Sequence, residues 1–300
     1  MRRRLSKPAM TCMAIVGVAL LVNGSAAPAW CMPATQDIAQ HVPLTPLDVD
    51  AEPLTPWDGL DARTRQATAD AAKSGADIEV VVMDRDTGQI VSNGANQPFP
   101  IASVVKLFIA DDLLLQESKG ETKLSAADRK SLDIMLRSSD DGAAQTFWDR
   151  SGGNAIISRV VARYGLSGTT APYNGHWDVT QSTASDLVRY YDMLLDGTGG
   201  LPPEQTSVII TNLAQSTPTG TDGYPQRFGI PEGLFAEAVA VKQGWFCCWS
   251  GANQLHVSTG AIGLDARYVM AISSLEPGDA AAARNTITQA VKTMFPAGHV

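Results

Sequence analysis

Strand-like periodicity at both ends of a 300-residue chain, around a middle that is almost wholly helical, predicts an α+β (mixed α/β) domain. The expected architecture is an antiparallel sheet flanked by N- and C-terminal helices, with an all-helical insert beside it. A second observation fixes the centre of that arrangement. Phe99-Pro100-Ile101-Ala102-Ser103-Val104-Val105-Lys106-Leu107-Phe108 turns from a proline-punctuated strand into a helix that is apolar on nearly every face, the mark of a helix buried in mid-domain. The third is bulk: at 44% hydrophobic residues the chain can fill a sizeable core.

The elements follow in order. Alanines and charges over 60–73 predict a first helix. Asp77 to Met83 is rich in β-branched residues, Asp86-Thr87-Gly88 is a turn, and Gln89 to Ser92 returns as a second strand. The buried helix starts near Ala102. Ser125 is an N-cap candidate for a helix running towards Arg137. Another runs from Ala143 to Trp148 and is broken by Gly152-Gly153. Apolar positions 156, 157, 160 and 161 predict an amphipathic helix to Tyr164. Residues 165–180 have loop composition, and helices are expected over 185–195 and 203–213. Strands are expected over 236–246, 254–259 and 267–273, then a helix over 279–295. The sheet part thus spans about 58–100 and 215–300, and the helical part about 101–214.

The first 29 residues read as an export signal. Arg2, Arg3, Arg4 and Lys7 precede an apolar run from Ala14 to Val22, too short to span a bilayer, and Ala27-Pro28-Ala29 closes it. Residues 30–57 hold five prolines among polar residues and read as a tether to a domain over 58–300. Cys31 invites lipid attachment, although Trp30 stands where such a signal wants a small residue. The expected location is the extracytoplasmic envelope, with membrane contact only through the signal or a lipid on Cys31. The formal charge of −8 becomes more negative once the basic leader is set aside, which argues against nucleic acid as a partner. The four histidines are scattered and no C-x-x-C occurs, so neither metal nor other cofactor is expected. Two readings of Cys247-Cys248 stay open: a bridge between neighbours, or two small strand residues facing opposite sides.

Ser103 and Lys106 are three apart and share one face of a first helical turn. A serine hydroxyl attacks carbonyls once a base takes its proton, and a desolvated lysine can be that base. Taken alone, the pair is also a capping serine beside a surface lysine. Ser139-Asp140-Asp141 follows at a helix junction, and Lys242-Gln243-Gly244 lies on the first strand after the helical middle. S-x-x-K, an S-D-x triplet and K-x-G, in that order and on those elements, resemble the serine β-lactamase and penicillin-binding protein superfamily, over roughly residues 60–297.

The resemblance implies a transpeptidase-like fold, no cofactor, a monomer, and a β-lactam or peptidoglycan-like ligand. It implies Ser103 as nucleophile, Lys106 as base, and Ser139 with Lys242 delivering a proton to the leaving nitrogen. The backbone N–H groups of Ser103 and Trp245 would form the oxyanion hole, and Asp141, Gln243 and Gly244 would contact substrate. Alternatives remain, namely an N-cap for Ser139 and a solvated strand lysine for Lys242.

The sequence also departs from the family. Asp141 replaces an amide, and a carboxylate there can hold Lys106 charged. Gln243 replaces a hydroxyl residue that helps hold a substrate carboxylate. No glutamate lies between Glu121 and Glu204, the region where class A enzymes place the residue that activates the deacylating water. His176 and Asp178 either prime a water or are two exposed loop side chains around Trp177. Trp245, Phe246 and Trp249 are expected to narrow the cleft. Three functions follow: a serine acyl-transfer protein slow in deacylation, an inactive descendant that binds a wall fragment or protein partner, and, ranked last, a working β-lactamase.

Overall fold

A computed structural model describes residues 57–300. The segment expected to be an export signal, most of the expected tether and Cys31 lie outside the described residues.

Helix α1 (Leu60–Lys73) leads into β1 (Asp77–Asp84), and the turn at Gly88 returns the chain as β2 (Ile90–Ser92). The helical lobe begins with a short β3 (Phe99–Pro100), a 3₁₀ turn over Ala102–Val105 and α2 (Lys106–Ser118). It continues through α3 (Ala126–Arg137), α4 (Asp141–Arg150), α5 (Asn154–Tyr164), a short β4 (Gln181–Ser182), α6 (Ala184–Asp196) and α7 (Pro203–Ala214). A short α8 (Ile230–Gly233) links the lobe back to the sheet. There the chain ends in β5 (Val239–Trp249), β6 (Asn253–Ile262), β7 (Tyr268–Glu276) and α9 (Ala280–Met294).

The sheet order is β2-β1-β7-β6-β5, antiparallel throughout. First strands therefore pair with last, Val80 opposite Ile272 and Val82 opposite Met270. Strand alternation divides the core into two layers. Val80, Val82, Met270 and Ile272 pack with Leu60 and Ala67 of α1 and Ile287 of α9. Val81, Val269 and Ala271 face the helical lobe and join Phe108, Tyr190 and Tyr191. Both faces of the inner strands are covered, so β1 and β7 are buried at almost every position.

Within the lobe the expected helix ends hold. Ser125 accepts from the Asp128 backbone, Asp128 answers in a capping box, and Gly197 ends α6 in the left-handed region.

Three features go beyond the sequence pattern or settle what it left open. The elements β3 and β4 form a two-stranded sheet of two residues each, too short to leave any period in the sequence. The buried helix is not purely apolar, since Asp111 and Asp112 are also buried in it. Each is paired: Arg163 and the Tyr164 hydroxyl hold Asp111, and Arg159 grips Asp112 through two bonds of 2.7 Å. Finally, Cys247 and Cys248 do not face opposite sides; a disulfide joins them near the exposed end of β5.

Candidate active site

Ser103 sits in the 3₁₀ turn and Lys106 is the first residue of α2, so one turn of backbone brings them together. Lys106 Nζ donates to Ser103 Oγ at 2.7 Å. The entry to this turn needs a positive φ of 46° at Ala102. Gly244 of β5 presses on the same turn, and a Cβ there would meet Ile101 O at 2.5 Å. Glycine at 244 thus lets the strand and the turn that bears Ser103 touch.

Ser139 occupies the α3–α4 junction with φ of 57°, a strained value for a non-glycine residue. It is not the N-cap of α4, since Asp140 has that role through the Ala143 backbone N–H at 2.7 Å. Freed from capping, Ser139 Oγ lies 3.2 Å from Lys106 Nζ and accepts from Lys242 Nζ at 2.8 Å. Lys242 is 1% exposed and also donates to its neighbour's carbonyl, Gln243 O, at 3.1 Å. The side chains of Ser103, Lys106, Ser139 and Lys242 therefore form one hydrogen-bonded chain, drawn from both the sheet and the helical lobe.

Asp141 closes the group. Its Oδ1 accepts from Lys106 Nζ at 2.6 Å while most of its side chain stays in solvent. Lys106 also donates to Ser139 O at 2.7 Å and lies 4.7 Å from the Trp177 ring centroid. Burial lowers the Lys106 pKa from its ordinary value, and the Asp141 charge opposes that shift. Lys242 is pushed well down, by burial first and by the Lys106 charge second.

An open cavity of about 240 Å³ lies over this chain of groups, lined by Ser103, Asp141, Trp177, Asp178, Trp245 and Phe246 among others. Two expected contacts fall elsewhere. Alternation on β5 turns Gln243 away, and its amide donates to Gln226 O (3.1 Å) and Phe228 O (2.6 Å). Trp249 lines a neighbouring cavity with Phe99 and Leu255. His176 is exposed and does not line the cavity over Ser103, whereas Asp178 does.

Sequence reasoning missed Asp222. It comes from the loop between α7 and α8 and also lines the cavity. Its carboxylate accepts from the Trp245 indole at 3.1 Å and from the Tyr224 backbone at 2.9 Å, and Trp245 stacks on Tyr224 at 4.7 Å. Thr221 N–H anchors this loop to Ser138 O at 2.8 Å. No motif marks such a loop, because only its docking at the α3–α4 junction makes it part of the site.

Known proteins share this fold. The model of the Beta-lactamase enzyme family matches residues 62–128. Over 250 residues the chain is 60% identical to the protein named "Putative lipoprotein LppW" in Mycobacterium tuberculosis and Mycobacterium bovis, covering 83% of this chain and 79% of that one. A β-lactamase from Chitinophaga pinensis superimposes with a TM-score of 0.64 at 17% identity, covering 79% of this chain and 99% of the other. PBP-A gives a TM-score of 0.65, also at 17% identity, with 82% and 98% covered. These structural likenesses speak to the fold alone. At 60% identity over most of both chains, the chain belongs to the LppW family, and its fold is that of the serine β-lactamases and PBP-A.

Proposed function

We propose that the protein is a serine acyl-transfer protein of the cell envelope, slow to release its acyl group. The observation that carries this reading is the 2.7 Å contact between Lys106 Nζ and Ser103 Oγ in a buried setting that lowers the lysine's pKa. A neutral Lys106 takes the hydroxyl proton as Oγ bonds to the substrate carbonyl carbon. The carbonyl oxygen becomes an oxyanion facing the backbone N–H groups of Ser103 and Trp245. Collapse breaks the bond to the leaving nitrogen, which receives a proton through Ser139 beside Lys242. The proton that leaves Ser103 thus ends on the leaving nitrogen, and the product is an ester on Ser103.

Deacylation repeats these steps with water in place of the serine and needs a base close to that water. No glutamate occurs between Glu121 and Glu204, and Asp141 is engaged with Lys106. Of the other carboxylates lining the cavity, Asp222 is held by Trp245 and Tyr224, and Asp178 has a side chain one carbon shorter than the missing glutamate, so the ester is long-lived. Residues 1–29 direct export, residues 30–57 tether the domain, and Cys31 is the candidate for a lipid. The lipoprotein name carried by the mycobacterial relatives supports that part of the reading.

A second reading is favoured by one contact. The 2.6 Å contact with Asp141 favours the charged form of Lys106, which suits a binding module better than a base. Prolonged incubation with a fluorescent penicillin, followed by mass mapping, separates the two. A stable adduct on Ser103 that is absent from Ser103→Ala is the expected result. Rapid turnover would make the protein a true β-lactamase, and a Ser103 left unlabelled by the penicillin and by uncharged thioesters alike would leave only binding.

A further inference from the structure

The walls of the cavity have an unexpected charge. Three carboxylates line it, Asp141, Asp178 and Asp222, and among the described residues no lysine, arginine or histidine does. Lys106 and Lys242 lie behind the surface, 0% and 1% exposed. Arg284, which lies over the Tyr224 ring at 4.9 Å, does not line it either. Half of the remaining lining is aromatic, Trp177, Trp245 and Phe246, and aromatic ring faces attract cations.

Two independent features mark this as a place for a ligand and not a solvated acidic patch. Ser103, 7% exposed, lines the cavity, and among the described residues its hydroxyl meets only Lys106 Nζ, at 2.7 Å. Asp222, in turn, is held rigidly: the Trp245 indole and the Tyr224 backbone fix its two oxygens. The loop is shaped around it, since a Cβ on Gly220 would come within 2.7 Å of Asp222 Oδ1. A carboxylate fixed by donors on an aromatic wall is preorganised to meet a positive group. The hydroxyl that would greet a substrate carboxylate is replaced by Gln243, whose amide faces away from the cavity.

We infer that the cleft selects its acyl donor by positive charge, taking a substrate with an ammonium group near the reacting carbonyl and disfavouring one with a carboxylate there. The inference leans on the acyl-transfer reading only for the identity of the reacting atom. A penicillin carries a carboxylate, so its reaction with Ser103 is expected to be slow.

Three matched thiobenzyl esters test this: 3-aminopropanoyl, butanoyl and succinyl, which place an ammonium, a methyl and a carboxylate at similar distances from the carbonyl. In each, Oγ bonds to the acyl carbon, the C–S bond breaks, and the thiol leaves with the serine proton relayed by Lys106. At low salt the ammonium ester should acylate Ser103 about tenfold faster than the methyl ester, and the succinyl ester slower than both. Asp222→Asn combined with Asp178→Asn should bring the three rates together.

The corresponding N-benzyl amides, titrated against Ser103→Ala by quenching of tryptophan fluorescence, should give the same ranking without any reaction. Equal binding of the three amides, preference for the succinyl compound, or no binding of any would overturn the inference. Ranked binding without labelling of the native chain would remove the acyl-transfer reading and leave charge selection standing. Labelling of Ser103 without a charge ranking would do the reverse.

Discussion

At the scale of single residues the site is a contest over one proton on Lys106. Burial favours the neutral amine, and Asp141 favours the ammonium. Asp141→Asn removes the opposing charge, so Lys106 should lose its proton at lower pH. The acidic limb of the pH profile for Ser103 acylation then moves to lower pH, with the rate at neutral pH several-fold higher; a limb that stays in place would exclude Lys106 as the base. His256 offers a second titration. It is buried with the Tyr224 hydroxyl 2.6 Å from Nε2, and burial lowers its pKa from 6.5 to about 3. Between those values the unfolded chain binds a proton that the folded chain refuses, so stability falls as pH drops from 6.5 towards 3. His256→Gln should flatten that part of the curve in urea titrations. The residues that carry the proposed chemistry were legible because each stands near a helix start or on a strand with a strong local pattern. Asp222 was not, since nothing near it in the chain announces that Trp245 will meet it.

Among the elements, α2 bears most of the fold. It is surrounded by α3, α4, α5 and α7, and the turn at its start presents Ser103 and Lys106 to the sheet. Phe108 lies edge-on to Tyr190 at 4.9 Å, both fully buried. Phe108→Ala should cost roughly 3–5 kcal/mol in chemical denaturation, because the surrounding helices cannot collapse into the space. Asp111 has a different logic. Burial pushes its carboxyl up, while Arg163 and the Tyr164 hydroxyl oppose that shift. Asp111→Ala strands Arg163 and should cost about 3–5 kcal/mol, more than Asp111→Ala and Arg163→Leu together. The apolar periodicity foretold the helix. Its buried aspartates could not be read the same way, because their partners lie far along the chain, on α5.

Over the whole molecule the sheet part and the helical part were visible as a change of period near residues 100 and 236. That change survives in the structure because each lobe buries its own kind of pattern. The two-residue strands β3 and β4 and the disulfide at 247–248 were harder to read, the first for want of length and the second because a bond between neighbours has no spacing to interpret. The sheet order carries a further consequence. Strand β1 lies between its own hairpin partner β2 and β7, with Asp84 opposite Tyr268 and Asp77 opposite Leu275. The first hairpin therefore has no lasting place until nearly the whole chain is available, and closing so long a loop before any contact repays it makes folding slow. A chain cut after residue 262 should fail to give a cooperative unfolding transition, while a cut after 296 should keep one. As the polypeptide leaves the ribosome from its N-terminus, its earliest strands wait, with apolar faces bare, for the latest ones to arrive. Whatever escorts the newborn chain must shield those faces for almost the entire time of its synthesis.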